Sequence, residues 1–224
     1  MADRPTVLVP IRVLERESIP EGVPGLLAGA HVVLLGYHAI PEQTAAGQAR
    51  EQFGERADRK LDDLGASFED AGATVETRLV FTHEAQTTID RVNKEVDALA
   101  ILVPNAVGDL ERVLVALRGT VGSDRLARLV TGLFAGRALE LTLFHVAEER
   151  ESDEDAETLL DGMIERLVDG GFAESRLDTE VVRDEDPVQA ITDAAADYDA
   201  VVMGETDPSV ATYFFGLPAD QVAE

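Results

Sequence analysis

Two histidines, two arginines and one run of carboxylates are the side chains of this sequence whose types and spacing invite chemistry. His38 and His145 each close an apolar run, Val32-Val33-Leu34-Leu35-Gly36-Tyr37-His38 and Leu139-Glu140-Leu141-Thr142-Leu143-Phe144-His145. A ring at the end of a strand can carry a proton or ligate a metal. Neither has a second histidine or a carboxylate pair at metal spacing, so the preferred role is a ring that caps its strand and bonds a neighbouring backbone group. His31 and His83 are isolated and carry no functional expectation. Arg12 and Arg118 end a second pair of matching runs, Val7-Leu8-Val9-Pro10-Ile11-Arg12 and Val113-Leu114-Val115-Ala116-Leu117-Arg118. The guanidinium of Arg118 can hold a phosphate unaided, and its competing use is an ion pair with one of many surface carboxylates. The stretch Glu148-Glu149-Arg150-Glu151-Ser152-Asp153-Glu154-Asp155 lacks the alternating ligands and central glycine of a calcium loop. It is expected to be a solvated loop entering a helix, where carboxylates suit the positive end of the dipole.

Catalytic patterns are missing from the sequence. It contains no nucleophile elbow, phosphate-loop lysine, His-Glu-x-x-His or paired His-x-x-His. It has no cysteine, which rules out disulfides, thiolate nucleophiles and cysteine-based zinc sites. A non-catalytic protein without a bound metal is the expectation.

The elements that would position these side chains occur twice. A third echo joins the two above, Asp97-Ala98-Leu99-Ala100-Ile101-Leu102-Val103 with Asp199-Ala200-Val201-Val202-Met203-Gly204. All three recur in the same order roughly 100 residues apart, longer than a solenoid period and suited to a duplicated small domain. Strands are predicted over 6–11, 31–37, 74–81 and 98–103, with helices over 45–71 and 83–96. The second copy has strands over 113–117, 140–146, 178–183 and 200–204, with helices over 123–134, 154–170 and 187–197. Nearly continuous apolarity in most of these strands suits a parallel sheet covered on both faces. Asp186-Pro187 reads as a helix start, with Asp as the N-cap and Pro at the first helical position. The domains are expected at 1–106, lacking a last helix and strand, and at 111–224, with its final strand missing. Tyr213-Phe214-Phe215 is either core or an exposed patch for a protein partner or a second copy.

Charge narrows the partners. With Asp+Glu at 44 against Lys+Arg at 19, the net charge is −25, and Lys60 and Lys94 are the only lysines. Such a surface repels phosphate backbones and anionic lipid, so nucleic acid and membrane surfaces are not expected partners. No apolar run approaches the ~20 residues of a membrane span, and the N-terminus lacks a signal-peptide core, so a soluble cytoplasmic protein is expected. A carboxylate coat with almost no lysine matches proteins of salt-saturated cytoplasm, where self-repulsion is screened within about 3 Å at 1 M salt.

Through its Val-Leu-Val-Pro first strand, its Leu-Thr-Leu-Phe-His-Val strand, the Asp186-Pro187 start before Ala190-Ile191 and Ala194-Ala195, and Tyr198-Asp199-Ala200-Val201-Val202-Met203-Gly204, the chain resembles the universal stress protein family in its tandem form. The resemblance implies an α/β fold of two tandem doubly wound, Rossmann-like parallel-sheet domains packed as an internal pseudo-dimer. It implies a stress-response or regulatory role, in some relatives as a companion of membrane transporters. It also implies a nucleotide crevice at the carboxyl ends of the strands, whose equivalents here are Ala116, Leu117, Arg118, Met203, Gly204 and Gly216. ATP-binding relatives carry an acidic residue after the first strand and a Gly-x-x-Gly loop ending in Gly-Ser/Thr after the fourth. Here Arg12 and Arg118 replace the acid, Asp207 replaces the second glycine, and Gly216-Leu217-Pro218 replaces the Gly-Ser/Thr pair. A carboxylate in a phosphate cradle costs Coulomb energy and proline removes a donor. The expected function is therefore a non-catalytic regulatory module with largely eroded nucleotide sites and no cofactor; the alternative is an ATP-binding sensor with one surviving site in the second copy.

The acidic coat generates a first expected outcome. Thermal melts should show a higher Tm in molar KCl than in low-salt buffer, and equal values would remove the halophilic reading.

Overall fold

Runs of aliphatic and β-branched residues form the strands, and polar stretches with helical periodicity connect them. In the computed structural model, which describes residues 4–15, 18–103, 110–117, 119, 122–203 and 212–216, the first half has β1 (Thr6–Arg12), α1 (Val23–Leu26), β2 (His31–Ala39), α2 (Ala46–Asp70), β3 (Thr74–Thr82), α3 (Ala85–Val96) and β4 (Ala100–Val103). The second half has β5 (Arg112–Leu117), α4 (Ser123–Phe134), β6 (Glu140–Ala147), α5 (Asp153–Asp169), β7 (Leu177–Arg183), α6 (Pro187–Ala195), β8 (Ala200–Met203) and β9 (Thr212–Gly216).

The nine strands form one sheet in the order β3-β2-β1-β4-β9-β8-β5-β6-β7. Each half contributes a parallel block of four strands with the same internal order, the doubly wound α/β arrangement. β9 lies between the blocks, parallel to β4 and antiparallel to β8. The two blocks therefore run in opposite senses, as a pseudo-twofold axis normal to the sheet requires.

Alternate side chains of the parallel strands point to opposite faces, and helices cover both. On one face Val7, Val9 and Ile11 of β1 meet Leu26 of α1 and Leu61 and Phe68 of α2. Val113, Val115 and Leu117 of β5 meet Leu129 and Phe134 of α4 and Leu167 of α5 in the same continuous cluster. On the other face each half keeps its own cluster, Ile89 and Val92 of α3 over Leu8 and Leu35, and Ile191 and Ala195 of α6 over Leu114 and Phe144. The halves are thus fused by a common core on one face and remain separate on the other.

Polar clasps reinforce the fused face. One guanidinium nitrogen of Arg137, just beyond α4, donates to Gly25 O at 2.6 Å and Leu26 O at 2.9 Å, the carbonyls that end α1, while Nε donates to Leu133 O. Burial lowers the pKa of Arg137 from its ordinary value, and the three carbonyl dipoles offset that desolvation. Arg125 of α4 reaches back to Asp97 Oδ1 and Ala98 O, both at 2.9 Å. Asp97 closes α3 in the left-handed region at φ 47°, a conformation that the Arg125 bond helps to hold. Gly132 allows a close approach between the halves: a Cβ there would lie 2.6 Å from Pro5 Cδ.

Three elements depart from the sequence-based expectations. A four-residue helix, α1, entered by Gly22 at φ 88° with Pro24 in its first turn, occupies a connection with no predicted bounds. β4 begins at Ala100 rather than 98, because Ala98 and Leu99 form the turn out of α3, with Leu99 N–H bonded to Thr6 O. Thr212–Gly216, in a half expected to lack its final strand, is itself a strand, and it bridges the two blocks through backbone pairing on both sides.

Replacing Arg137 by Ala strands two α1 carbonyls at the interface. The loss is expected to cost about 1–3 kcal/mol, read as a lower denaturant midpoint at unchanged m-value; an unchanged midpoint would show that the clasp contributes nothing.

Candidate functional site

A doubly wound sheet opens a crevice beyond the carboxyl ends of its strands where the crossover direction reverses. In the second half that point lies between β5 and β8, since α4 covers one face and α6 the other. Ala116 of β5 is in register with Met203 of β8 and with Phe144 of β6, and Leu117 with His145. Ala116, Leu117 and Met203 thus meet at one end of the sheet, the first two fully buried. Arg118 and Gly204 lie outside the described residues. Gly216 does not join this group. Because β9 runs antiparallel to β8, Gly216 pairs with Ala200 at the amino end of β8, one residue beyond the Val103–Phe215 pair at the carboxyl end of β4.

His145 is the best-enclosed polar side chain at this end, 3% exposed. Its Nδ1 lies 3.0 Å from Leu117 O and its Nε2 2.8 Å from Glu151 Oε1. Glu151 Oε2 in turn accepts from the backbone N–H of Glu148 at 3.1 Å. The strand-capping role expected of His145 is observed, with Glu151 as a partner that the sequence did not single out. The only signal was a separation of six residues across an acidic loop. His38 does not occupy the matching position, since Gly36 pairs with Ile11 as His145 pairs with Leu117; two residues further on, it stands edge-on to Phe53 and Phe81, with ring centroids 6.1 Å away in both cases. The isolated rings serve local structure: His83 Nδ1 approaches Ile40 O, and His31 Nδ1 approaches Thr74 Oγ1.

An open cleft of about 840 Å³ lies beside this group, at the carboxyl ends of β6 and β7 and the start of α6. Its charged lining is Glu148, Glu149, Glu151, Asp184 and Glu185, against Arg183. Arg183 is already engaged, donating to Glu148 O at 3.0 Å and Asp153 Oδ1 at 2.7 Å. The amino end of α6, which would otherwise attract an anion, is answered by its own N-cap: Asp186 Oδ1 accepts from Val188 and Gln189 N–H, both at 3.1 Å, with Pro187 in the first turn. The acidic stretch before α5 behaves as expected of a helix entry, Ser152 accepting from Asp155 N–H and Asp153, Glu154 and Asp155 filling the first turn.

The corresponding end of β1 in the first half carries Arg12. Its Nε donates to Tyr37 OH at 3.1 Å and its Nη1 lies 3.5 Å from Glu15. The Tyr37 hydrogen bond, with the Tyr37 and Glu15 charges behind it, raises the pKa of Arg12 above its ordinary value. Among the described residues, no helix is long and apolar enough to cross a membrane.

The family model described as "Universal stress protein family" matches residues 109–224. Comparison with curated protein sequences yields no match. Among solved structures, a universal stress protein from Archaeoglobus fulgidus DSM 4304 superposes with a TM-score of 0.58 at 14% identity, over 93% of this chain and 97% of that one. The cytoplasmic domain of a prokaryotic cation chloride cotransporter superposes with a TM-score of 0.50 at 11% identity, over 97% of each chain. At these identities the likeness is one of fold.

The wall of the cleft depends on the start of α6. Asp186→Ala is expected to destabilise the protein by about 0.5–2 kcal/mol through loss of the cap, measured by chemical denaturation; an unchanged midpoint would show that Pro187 alone starts the helix.

Proposed function

The chain belongs to the universal stress protein family, and from that premise we propose that it is a non-catalytic regulatory module of the stress response, its nucleotide sites largely eroded. The single observation that carries this reading is the lining of the cleft beside the β5–β8 crevice, where five carboxylates face one arginine that is already bonded. Two like charges about 4 Å apart near a protein surface repel by roughly 4 kcal/mol, about three orders of magnitude in affinity. A triphosphate approaching this wall would meet several such charges and no free cation among the described residues that line it. The loop substitutions Asp207 and Pro218 point the same way.

In this reading residues 1–106 and 111–224 are two domains, and their pairing through the common core replaces the partner that a single-domain relative would need. The module acts in a salty cytoplasm. The fold shared with the cytoplasmic domain of a cation chloride cotransporter supports service as a companion to a membrane transporter. A partner engaging Tyr213–Phe215 would have to do so without adding a strand, since the backbone of β9 is paired on both sides.

The second reading, an ATP-binding sensor with one site in the second half, draws on the juxtaposition of Ala116 and Met203 at the β5–β8 crevice. Weak ATP hydrolysis belongs to that reading. Calorimetric titration with ATP-Mg in molar KCl separates the two. No saturable heat at millimolar ligand is expected; a saturable isotherm, or nucleotide co-purifying with the protein, would overturn the eroded-site reading.

A further inference from the structure

We propose that His145 and Glu151 form a proton-operated latch: the doubly protonated ring pins loop 148–152 across the carboxyl ends of β5 and β6, and loss of one ring proton frees the loop. This goes beyond the regulatory reading above by supplying an input, acidity, that needs no ligand.

The proton count follows from the partners. Leu117 O is a carbonyl and Glu151 Oε1 belongs to a carboxylate, so both accept hydrogen bonds. An imidazole satisfies both at once only by donating from both nitrogens, which makes it the imidazolium ion. When one proton passes to solvent, the ring keeps a single N–H and can serve either the carbonyl or the carboxylate. The other contact becomes lone pair against lone pair inside a buried site. Glu151 is the partner that can leave, since its side chain is 20% exposed while that of His145 is 4% exposed. Its departure also releases the Glu148 N–H that Oε2 accepts.

The surroundings limit what moves. From the loop, Glu148 and Glu149 line the same cleft as Glu151. From β7, the register partner of His145 is the apolar Val181, and Arg183 is turned to Glu148 O and Asp153 at the start of α5. From α4, Asp124 is bonded to Arg166 of α5. From β5 the next charge in sequence is Arg118, which lies outside the described residues. Arg183 keeps its hold on Glu148 O in either state, so the opening is confined to the Glu151 side of the loop. His38 supplies an internal contrast, because its described neighbours are the aromatic edges of Phe53 and Phe81.

The sign is fixed by linkage. The latched state binds one more proton than the open state, so it is favoured at low pH and lost as pH rises through the titration of the ring. The test is NMR on the full chain in molar KCl between roughly pH 5 and 8. Histidine ring resonances are followed beside amide exchange corrected for its intrinsic pH dependence. Protection of the Glu148 amide is expected to fall about ten- to hundredfold in step with the His145 ring, the scale of a hydrogen bond to a charged group. Amides around His38 should show no such step. In His145→Gln the step should vanish. Should that variant fail to fold, Glu151→Gln is expected to abolish the step, because a side-chain amide can accept from a protonated ring or donate to a neutral one and so keeps its contact in either state. A His145 ring that titrates while the Glu148 amide stays protected would overturn the latch. So would a loop step that survives unchanged in either variant.

Discussion

Two-sided burial of parallel strands is the constraint from which the rest of this structure follows. A strand covered on both faces can expose polar chemistry only at its ends, because every side chain along its length points into a core. Leu8 and Val9, or Leu114 and Val115, are adjacent in sequence, yet all four are fully buried on opposite sides of the sheet. The carboxyl ends therefore collect the functional candidates: Arg12 and Tyr37 in one half, and His145, Glu151 and Arg183 in the other. The acidic coat lies outside this frame and has no say in the fold.

The second level of organisation is the unequal treatment of the two faces. On one, α1, α2, α4 and α5 contribute to a single core, and Arg137 and Arg125 reach from the second half to carbonyls of the first. On the other, α3 and α6 cover separate clusters. The duplication is thus closed into one body without identical halves. α1 is four residues long where α4 has twelve. Gly36 holds the register position opposite Ile11 that His145, bonded to a carbonyl and a carboxylate, holds opposite Leu117. Divergence has touched the ends of the strands and the connections more than the strands themselves.

The candidate site was legible in part. Ala116, Leu117 and Met203, named through the family resemblance, lie at one end of the sheet because strand ends in a doubly wound sheet converge whatever their side chains. Gly216 could not be placed from its spacing to Gly204, since spacing carries no information about whether the intervening chain reverses. β9 does reverse relative to β8, and it carries Gly216 to the other end of that strand. Glu151 was hidden for a related reason: one carboxylate among many in an acidic loop has no distinguishing pattern until a buried ring selects it. The short α1 was hidden because four residues are too few to display a helical period.

Composition, the triple echo and the apolar runs determined by themselves that this chain is a duplicated α/β protein with a strongly anionic surface and no thiol chemistry. Those properties are local or additive: a strand's apolarity, a helix's start at Asp186-Pro187 and a net charge can each be read without knowing what they touch. Only the tertiary structure decided that the halves share one sheet, that β9 joins them, and that His145 meets Leu117 and Glu151. These depend on chain direction and on contacts between residues far apart in sequence, which arise from the common packing of many elements and not from the properties of any one segment.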